Sequence, residues 1–354
     1  MIALPSPYHY MQLPREVIVG KGTLSRVIEV VKRLGLSGSA LIVAGTTSFE
    51  VAGKRVQDLL HQSGMEVDTL YVEGTTIRDV LAVEQKIAAW RPQVLFAVGG
   101  GSKIDVAKLG SSRLGIPFIS VPTTVSHDGI AGPLASIKGF EKPYSIMAQA
   151  PSAIIADTDV IGQAPWRTVV SGCGDVIAKF TAVRDWKLAH SEKAEYYGEY
   201  AASLALMSAK LVTQNAEHIK PGDEEGLRVL LEALISCGVA MSIAGSSRPA
   251  SGSEHLFSHA LDTIEGHAMH GEQCGIGTIL VSYLYDAHWR RIRDTLKQLG
   301  APTTAREFKV KDEDIVRAFE MAASIRPERY TILHKLKLNH EACREIARLT
   351  GIID

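Results

Sequence analysis

Gln93-Val-Leu-Phe-Ala-Val98, running straight into Gly99-Gly100-Gly101-Ser102-Lys103-Ile104-Asp105, decides the fold. A short apolar run without alternation is the pattern of a strand covered on both faces, as in a parallel sheet. The glycines allow a tight turn and a close approach of backbone to ligand, and the helix that opens at Ser102 directs N–H groups toward any anion there. Lys103 in a first helical turn opposes the helix dipole. A bound phosphate would remove that conflict; the plainer alternative is a strand-to-helix turn with Asp105 placed for the dipole. The dinucleotide fingerprint G-x-G-x-x-G is absent, because Gly20-Lys-Gly22 is followed by Ser25 where the third glycine should stand.

Outward from this unit the same alternation repeats. Strands are predicted at 17–20, 39–44, 67–72, 93–98 and 117–121, with helices at 24–34, 49–63, 77–90 and from the glycine turn to Leu114. This predicts an α/β N-terminal domain, residues 1–162, with a parallel Rossmann-like sheet. After Pro165 the strand signals stop. Helices are expected at 166–190, 194–217, 224–244, 253–264, 274–299, 312–324 and 340–349, an all-helical metal- and substrate-binding domain spanning 163–354. The active site is expected in the cleft between the two.

Composition excludes several classes. The 354 residues fit about two domains. Lys+Arg is 38 against Asp+Glu 39, so no basic excess supports nucleic-acid binding. Cys173, Cys237, Cys274 and Cys343 are scattered, with no C-x-x-C pair, which fits a reducing compartment. The N-terminus lacks the pattern of a signal peptide. The most apolar stretch, Ala233 to Ala244, is shorter than the ~20 residues a membrane span needs. A cytoplasmic protein with no transmembrane segment is expected.

Two further elements carry chemistry. Pro122-Thr-Thr-Val-Ser-His-Asp-Gly129 follows a strand, at the sheet edge where such folds bind ligands. Thr123, Thr124 and Ser126 offer hydroxyls and Asp128 a carboxylate; an Asx turn is the plainer reading. His255, His259, His267 and His270 fall within sixteen residues of a chain holding 12 histidines, where even spacing would put about half of one. Histidine is the commonest metal ligand. His255 and His259 share a helix face, but Leu256 stands where the H-E-x-x-H motif needs Glu. His267 reads as a surface residue. An open metal site takes about three protein ligands. Asp175, in Ser171-Gly-Cys-Gly-Asp175, reads as the head of a helix behind a glycine turn.

The blocks GGGSKIDVAK (99–108), PTTVSHDGIAGPLAS (122–136), SGCGDVIAK (171–179), SGSEHLFSHALD (251–262) and HGEQCGIGT (270–278) occur in one order along nearly the whole chain. In this the sequence resembles the iron-dependent alcohol dehydrogenase and dehydroquinate synthase superfamily, on its archaeal glycerol-1-phosphate branch. The resemblance implies NAD(P)H-dependent reduction of dihydroxyacetone phosphate to sn-glycerol 1-phosphate for membrane phospholipid synthesis, in a homo-oligomer. It implies that Gly99, Gly100, Gly101, Ser102 and Lys103 cradle the pyrophosphate of NAD(H) or NADP(H), and that Thr123, Thr124 and Ser126 lie toward the nicotinamide. It implies one Zn²⁺ on Asp175, His255 and His270, and substrate contacts from Asp128, Asp175 and His259, with Asp175 and His259 catalytic. Gly132 stands where relatives carry a serine at the cofactor. A glycerol or other polyol dehydrogenase is the alternative. Gly45, after the strand 40–44, supplies no carboxylate to repel a 2′-phosphate, so both nicotinamide cofactors are expected.

Overall fold

The computed structural model describes residues 9–138, 144–264, 266 and 268–354. His267 therefore lies outside the described residues. Among the described residues there are eight strands: β1 Glu16–Gly20, β2 Ser39–Ala44, β3 Glu66–Tyr71, β4 Val94–Gly99, β5 Phe118–Pro122, β6 Leu134–Ile137, β7 Tyr144–Met147 and β8 Ala153–Asp157. Six make one parallel sheet in the order β1-β8-β5-β4-β2-β3. β6 and β7 form a separate antiparallel hairpin that the sequence reading did not contain.

The apolar runs of β2 and β4 are buried on both faces. Leu41, Val43, Leu95 and Ala97 face one way, packed with Val80, Val83 and Ile104. Ala40, Ile42, Val94 and Phe96 face the other, packed with Val27, Val56 and Leu60. The helix after β2, Lys54–Gln62, and the helix after β4, Gly101–Arg113, thus cover opposite faces, so β2 and β4 flank a topological switch point. Ala44 pairs with Val98, and Gly99 with Pro122. The turns at Gly45, Gly100 and Thr123 therefore leave the same sheet edge side by side.

After β8 the chain is helical. The core of the first sheet face continues without interruption into it, through Val169, Leu230, Leu234, Leu256 and Ile276. The helix Glu224–Ala244 has 21 residues, and its most apolar 18 have a mean hydropathy of 1.8, long and apolar enough to cross a membrane. The apolar stretch is longer than the sequence reading allowed. Leu230, Leu231, Leu234, Cys237 and Ala240 on it are buried inside the protein.

Three expectations need correction. The expected helix 274–299 is two, His270–Leu284 and Trp289–Gln298, because Asp286 and His288 take left-handed φ of 48° and 28°. The expected helix 166–190 is interrupted at Ala178, giving Trp166–Ile177 and Lys179–Lys193. Ser171-Gly-Cys-Gly-Asp175 is no turn before a helix: it lies inside Trp166–Ile177. The glycines serve contact. A Cβ on Gly172 would sit 2.0 Å from the Val125 carbonyl oxygen, and one on Gly174 2.1 Å from that of Gly271. Only glycine lets this helix press backbone to backbone on its neighbours.

Candidate active site

A cleft of about 510 Å³ opens between the sheet edge and the helices, lined among others by Ser102, Asp128, His255, His259, His270 and Arg326. Each wall comes from an element already named. Ser102 belongs to the first turn after β4, and Asp128 to the loop after β5. The helix Ser253–Ile264 supplies His255 and His259, and His270 begins the helix His270–Leu284.

The glycine turn is occupied closely by its own neighbours. A Cβ on Gly99 would meet Lys103 Cγ at 2.7 Å, on Gly100 Thr124 Oγ1 at 2.6 Å, and on Gly101 His127 Nε2 at 1.8 Å. Lys103 arches over Gly45 and its ammonium donates to the Glu73 carbonyl. Thr123 is buried and its N–H donates to the Gly99 carbonyl at 3.0 Å. The carbonyl of Ser126 accepts from Ser171 Oγ at 3.0 Å. Gly132 is buried against Gly238 and the tip of Met241.

Asp175, His255, His270 and Cys274 bring their ligand atoms within 4.8 Å of one another. Asp175 Oδ1 lies 3.4 Å from His255 Nε2, and its Oδ2 accepts the Asp128 N–H at 2.9 Å. Behind the rings sit groups that fix which nitrogen carries the proton. His255 Nδ1 is 2.9 Å from the buried carboxylate of Glu254. Ser258 Oγ donates to Gln273 Oε1 at 2.5 Å, so toward His270 Nδ1, 3.0 Å away, it must accept. In both rings Nδ1 then holds a proton, so Nε2 is the nitrogen turned toward the cluster, the one a metal ion would take. Such outer partners orient metal-binding histidines.

The charges agree with a cation site. Burial opposes ionisation of Asp175, yet the Lys179 ammonium and His255 outweigh it and hold the carboxyl well below the usual range. Burial also opposes a charged His255, but Cys274, Asp175 and Glu254 draw its pKa well above normal. A proton is thus held between His255 and Asp175, where a divalent ion would replace it. Burial and the neighbouring His255 keep His270 neutral, with its pKa well below normal. For His259, burial comes first, then the positive charges of His255, Arg326 and Arg329, pushing it down to about 3. Its Nδ1 is buried without a partner among the described residues.

The structure thus brings Asp128, Asp175, His255, His259 and His270 together. Three more participants were missed in the sequence. Lys179 is wholly buried, 2.9 Å from Asp175 and 2.8 Å from Asp128. Glu254 is the residue next to His255. Cys274 follows His270 by one helical turn, the same spacing as His255 and His259, and that signal was available.

Residues 18–165 match the family described as iron-containing alcohol dehydrogenase. The chain is 54% identical to the glycerol-1-phosphate dehydrogenase [NAD(P)+] of Pyrococcus furiosus, over 98% of this chain and 100% of that one. It is 52% identical to that of Methanosarcina mazei, covering 98% and 97%. Among solved structures, glycerol dehydrogenase from Schizosaccharomyces pombe superimposes with a TM-score of 0.79 at 21% identity, covering 97% of this chain and 90% of that one. A probable glycerol dehydrogenase from Sinorhizobium meliloti gives 0.80 at 18%, covering 97% and 98%. These two share the fold, whereas the near-complete matches at over half identity carry more: the chain belongs to the family of the glycerol-1-phosphate dehydrogenases.

Proposed function

We propose that the protein reduces dihydroxyacetone phosphate to sn-glycerol 1-phosphate with NADH or NADPH, supplying the glycerol backbone of membrane phospholipids. The observation that carries this is the cluster of Asp175, His255 and His270 facing Asp128 and His259 across a cleft beside the glycine turn. The names of the close relatives support the substrate and the cofactors.

Asp175, His255 and His270 would hold one Zn²⁺, for which one carboxylate and two imidazoles are a suitable donor set. When bound, the ion polarises a substrate carbonyl and steadies the negative charge that hydride arrival creates there. Gly99 to Lys103 would receive the cofactor pyrophosphate, with Thr123, Thr124, Ser126 and Gly132 toward the nicotinamide end. Asp128, 2.8 Å from the Lys179 ammonium, would accept a hydrogen bond from a substrate hydroxyl. His259 is neutral because of its depressed basicity, so it would act as an N–H donor and proton relay to the nascent hydroxyl rather than as a standing imidazolium.

We also place the boundary between the two domains near residue 162, and take the enzyme to be a cytoplasmic homo-oligomer. Four free, buried cysteines support a reducing compartment. The helix Glu199–Gln214 turns Tyr200, Met207 and Leu211 outward, an apolar surface that a second copy would cover.

The test is NADH oxidation with dihydroxyacetone phosphate, before and after chelation, with Zn²⁺ added back. Asp175→Ala, His255→Ala and His270→Ala should lose metal by elemental analysis and nearly all activity. His259→Ala should keep the metal and lose rate. Full metal content in the His270 variant, or no oxidation by the wild type, would sink the assignment.

A further inference from the structure

The proposed reaction leaves the phosphate end of the substrate without a partner. Among the described residues, two lysine or arginine side chains line the cleft, Lys138 and Arg326. Lys138 follows β6, on the wall shared with Asp105 and Asp262, whose carboxyl groups disfavour a dianion there. Arg326 also lines the cleft, just after the helix Asp312–Ile325, which packs along the helix carrying His255 and His259.

Three arginines converge at this wall, and two are committed. Arg248 is paired with Glu195 and donates to the Tyr330 carbonyl at 2.9 Å. Arg329 donates to the Ser251 carbonyl and to Ser247 Oγ, each at 2.5 Å. It thereby fixes two serines that line the cleft beside Arg326. The Arg326 guanidinium has no hydrogen-bond or ion-pair partner among the described residues. Glu195 is taken by Arg248, and Glu254 by His255 and Thr181. The wall therefore carries surplus positive charge facing the cleft. The crowding shows in Arg329, where burial, then Arg248 and Arg326, push the pKa down to about 9. An incoming anion relieves that repulsion.

Resting on the reading above, we infer that Arg326, with the hydroxyls of Ser247 and Ser251, forms the subsite for the phosphate monoester end of the substrate. The spacing suits a three-carbon molecule. His255 and His259 are four residues apart, about 6 Å along the helix axis. Ser251 stands four residues before His255, and the Arg326 charge reaches His259, so a carbonyl at His255 and a phosphate at Arg326 are the two ends of one short molecule. A guanidinium matches a phosphate with two parallel hydrogen bonds, and the Ser247 hydroxyl, already accepting from Arg329, has its own hydrogen to give.

The test compares dihydroxyacetone phosphate with dihydroxyacetone in the wild type, Arg326→Gln, Arg326→Lys and Lys138→Ala, with binding of inorganic phosphate measured by calorimetry. In Arg326→Gln the ratio of kcat/KM for the phosphorylated over the unphosphorylated substrate should fall by about tenfold or more. Calorimetry should show phosphate binding weakened to match, and Arg326→Lys should recover part of both. An equal loss on both substrates, or discrimination lost in Lys138→Ala and kept in Arg326→Gln, would overturn the subsite. Should the wild type not reduce dihydroxyacetone phosphate, the proposed reaction fails. The subsite then still stands or falls on whether Arg326→Gln abolishes binding of inorganic phosphate.

Discussion

Glu254 Oε1 lies 2.9 Å from Nδ1 of the next residue, His255, and holds the ring from behind so that Nε2 meets Asp175. The same carboxylate accepts the Gly252 N–H and the Thr181 hydroxyl, so its orientation is fixed on every side. Glu254→Gln keeps the shape and removes the charge that strengthens His255 as a donor. Metal affinity, measured by competition with a chromophoric chelator, should fall by about 10- to 100-fold. Unaltered affinity would mean that Glu254 serves folding alone.

Lys179 is the counter-charge of two carboxylates. Lys179→Met leaves Asp175 and Asp128 facing each other in the interior, which should cost about 3–5 kcal/mol in urea unfolding of the chelated protein. A divalent ion on Asp175 replaces part of the lost charge. Zn²⁺ should therefore stabilise this variant more than it stabilises the wild type.

Asp185 gives a pH dependence of opposite sign to the usual carboxylate. Burial, then the charge of Glu254, raise its pKa to about 6, against N–H and O–H donors from Ile332, Tyr285 and Ser253. The folded chain thus binds this proton more tightly than the unfolded chain, so the contribution grows as pH falls through about 6 and is complete near the unfolded value. Relative to Asp185→Asn, the wild type should gain about 1 kcal/mol between pH 8 and pH 5. A constant difference across that range would show that Asp185 does not titrate there.

Gly45 bears on cofactor choice. No carboxylate stands there, and a Cβ at this position would lie 2.8 Å from Lys103 Cε and 3.7 Å from its ammonium. A cation beside the adenosine ribose favours a 2′-phosphate. NADH and NADPH should give kcat/KM values within about two orders of magnitude, and Gly45→Asp should selectively damage NADPH use. Rejection of NADPH by the wild type beyond about a thousandfold, some 4 kcal/mol, would place the ribose elsewhere.

The elements legible in the sequence were those with a long period or a clean stop. Ile77–Trp90 begins at a Thr76 cap reinforced by Asp79 and stops before Pro92, and the apolar runs of β2 and β4 left no second reading. The hairpin of β6 and β7 escaped because four-residue strands carry too little alternation to read. The break at Tyr285–His288 escaped because no glycine or proline marks it. In the site, the density of histidines was visible. Lys179 and Glu254 were not singled out, because a charged residue becomes a buried partner only once distant elements close over it.

The contact of Gly174 with Gly271 has a bearing on how finely the site is set. Asp175 and His270 each adjoin one of these glycines, and their separation follows from main chain resting on main chain. Side chains can swing to absorb a few tenths of an ångström; peptide units in van der Waals contact cannot. The tolerance on the distance between these two groups is therefore inherited from covalent geometry. A single methyl at either glycine, 2.1 Å from the Gly271 carbonyl oxygen or 1.7 Å from that of Ser171, would drive these backbones apart and carry Asp175 away from His270.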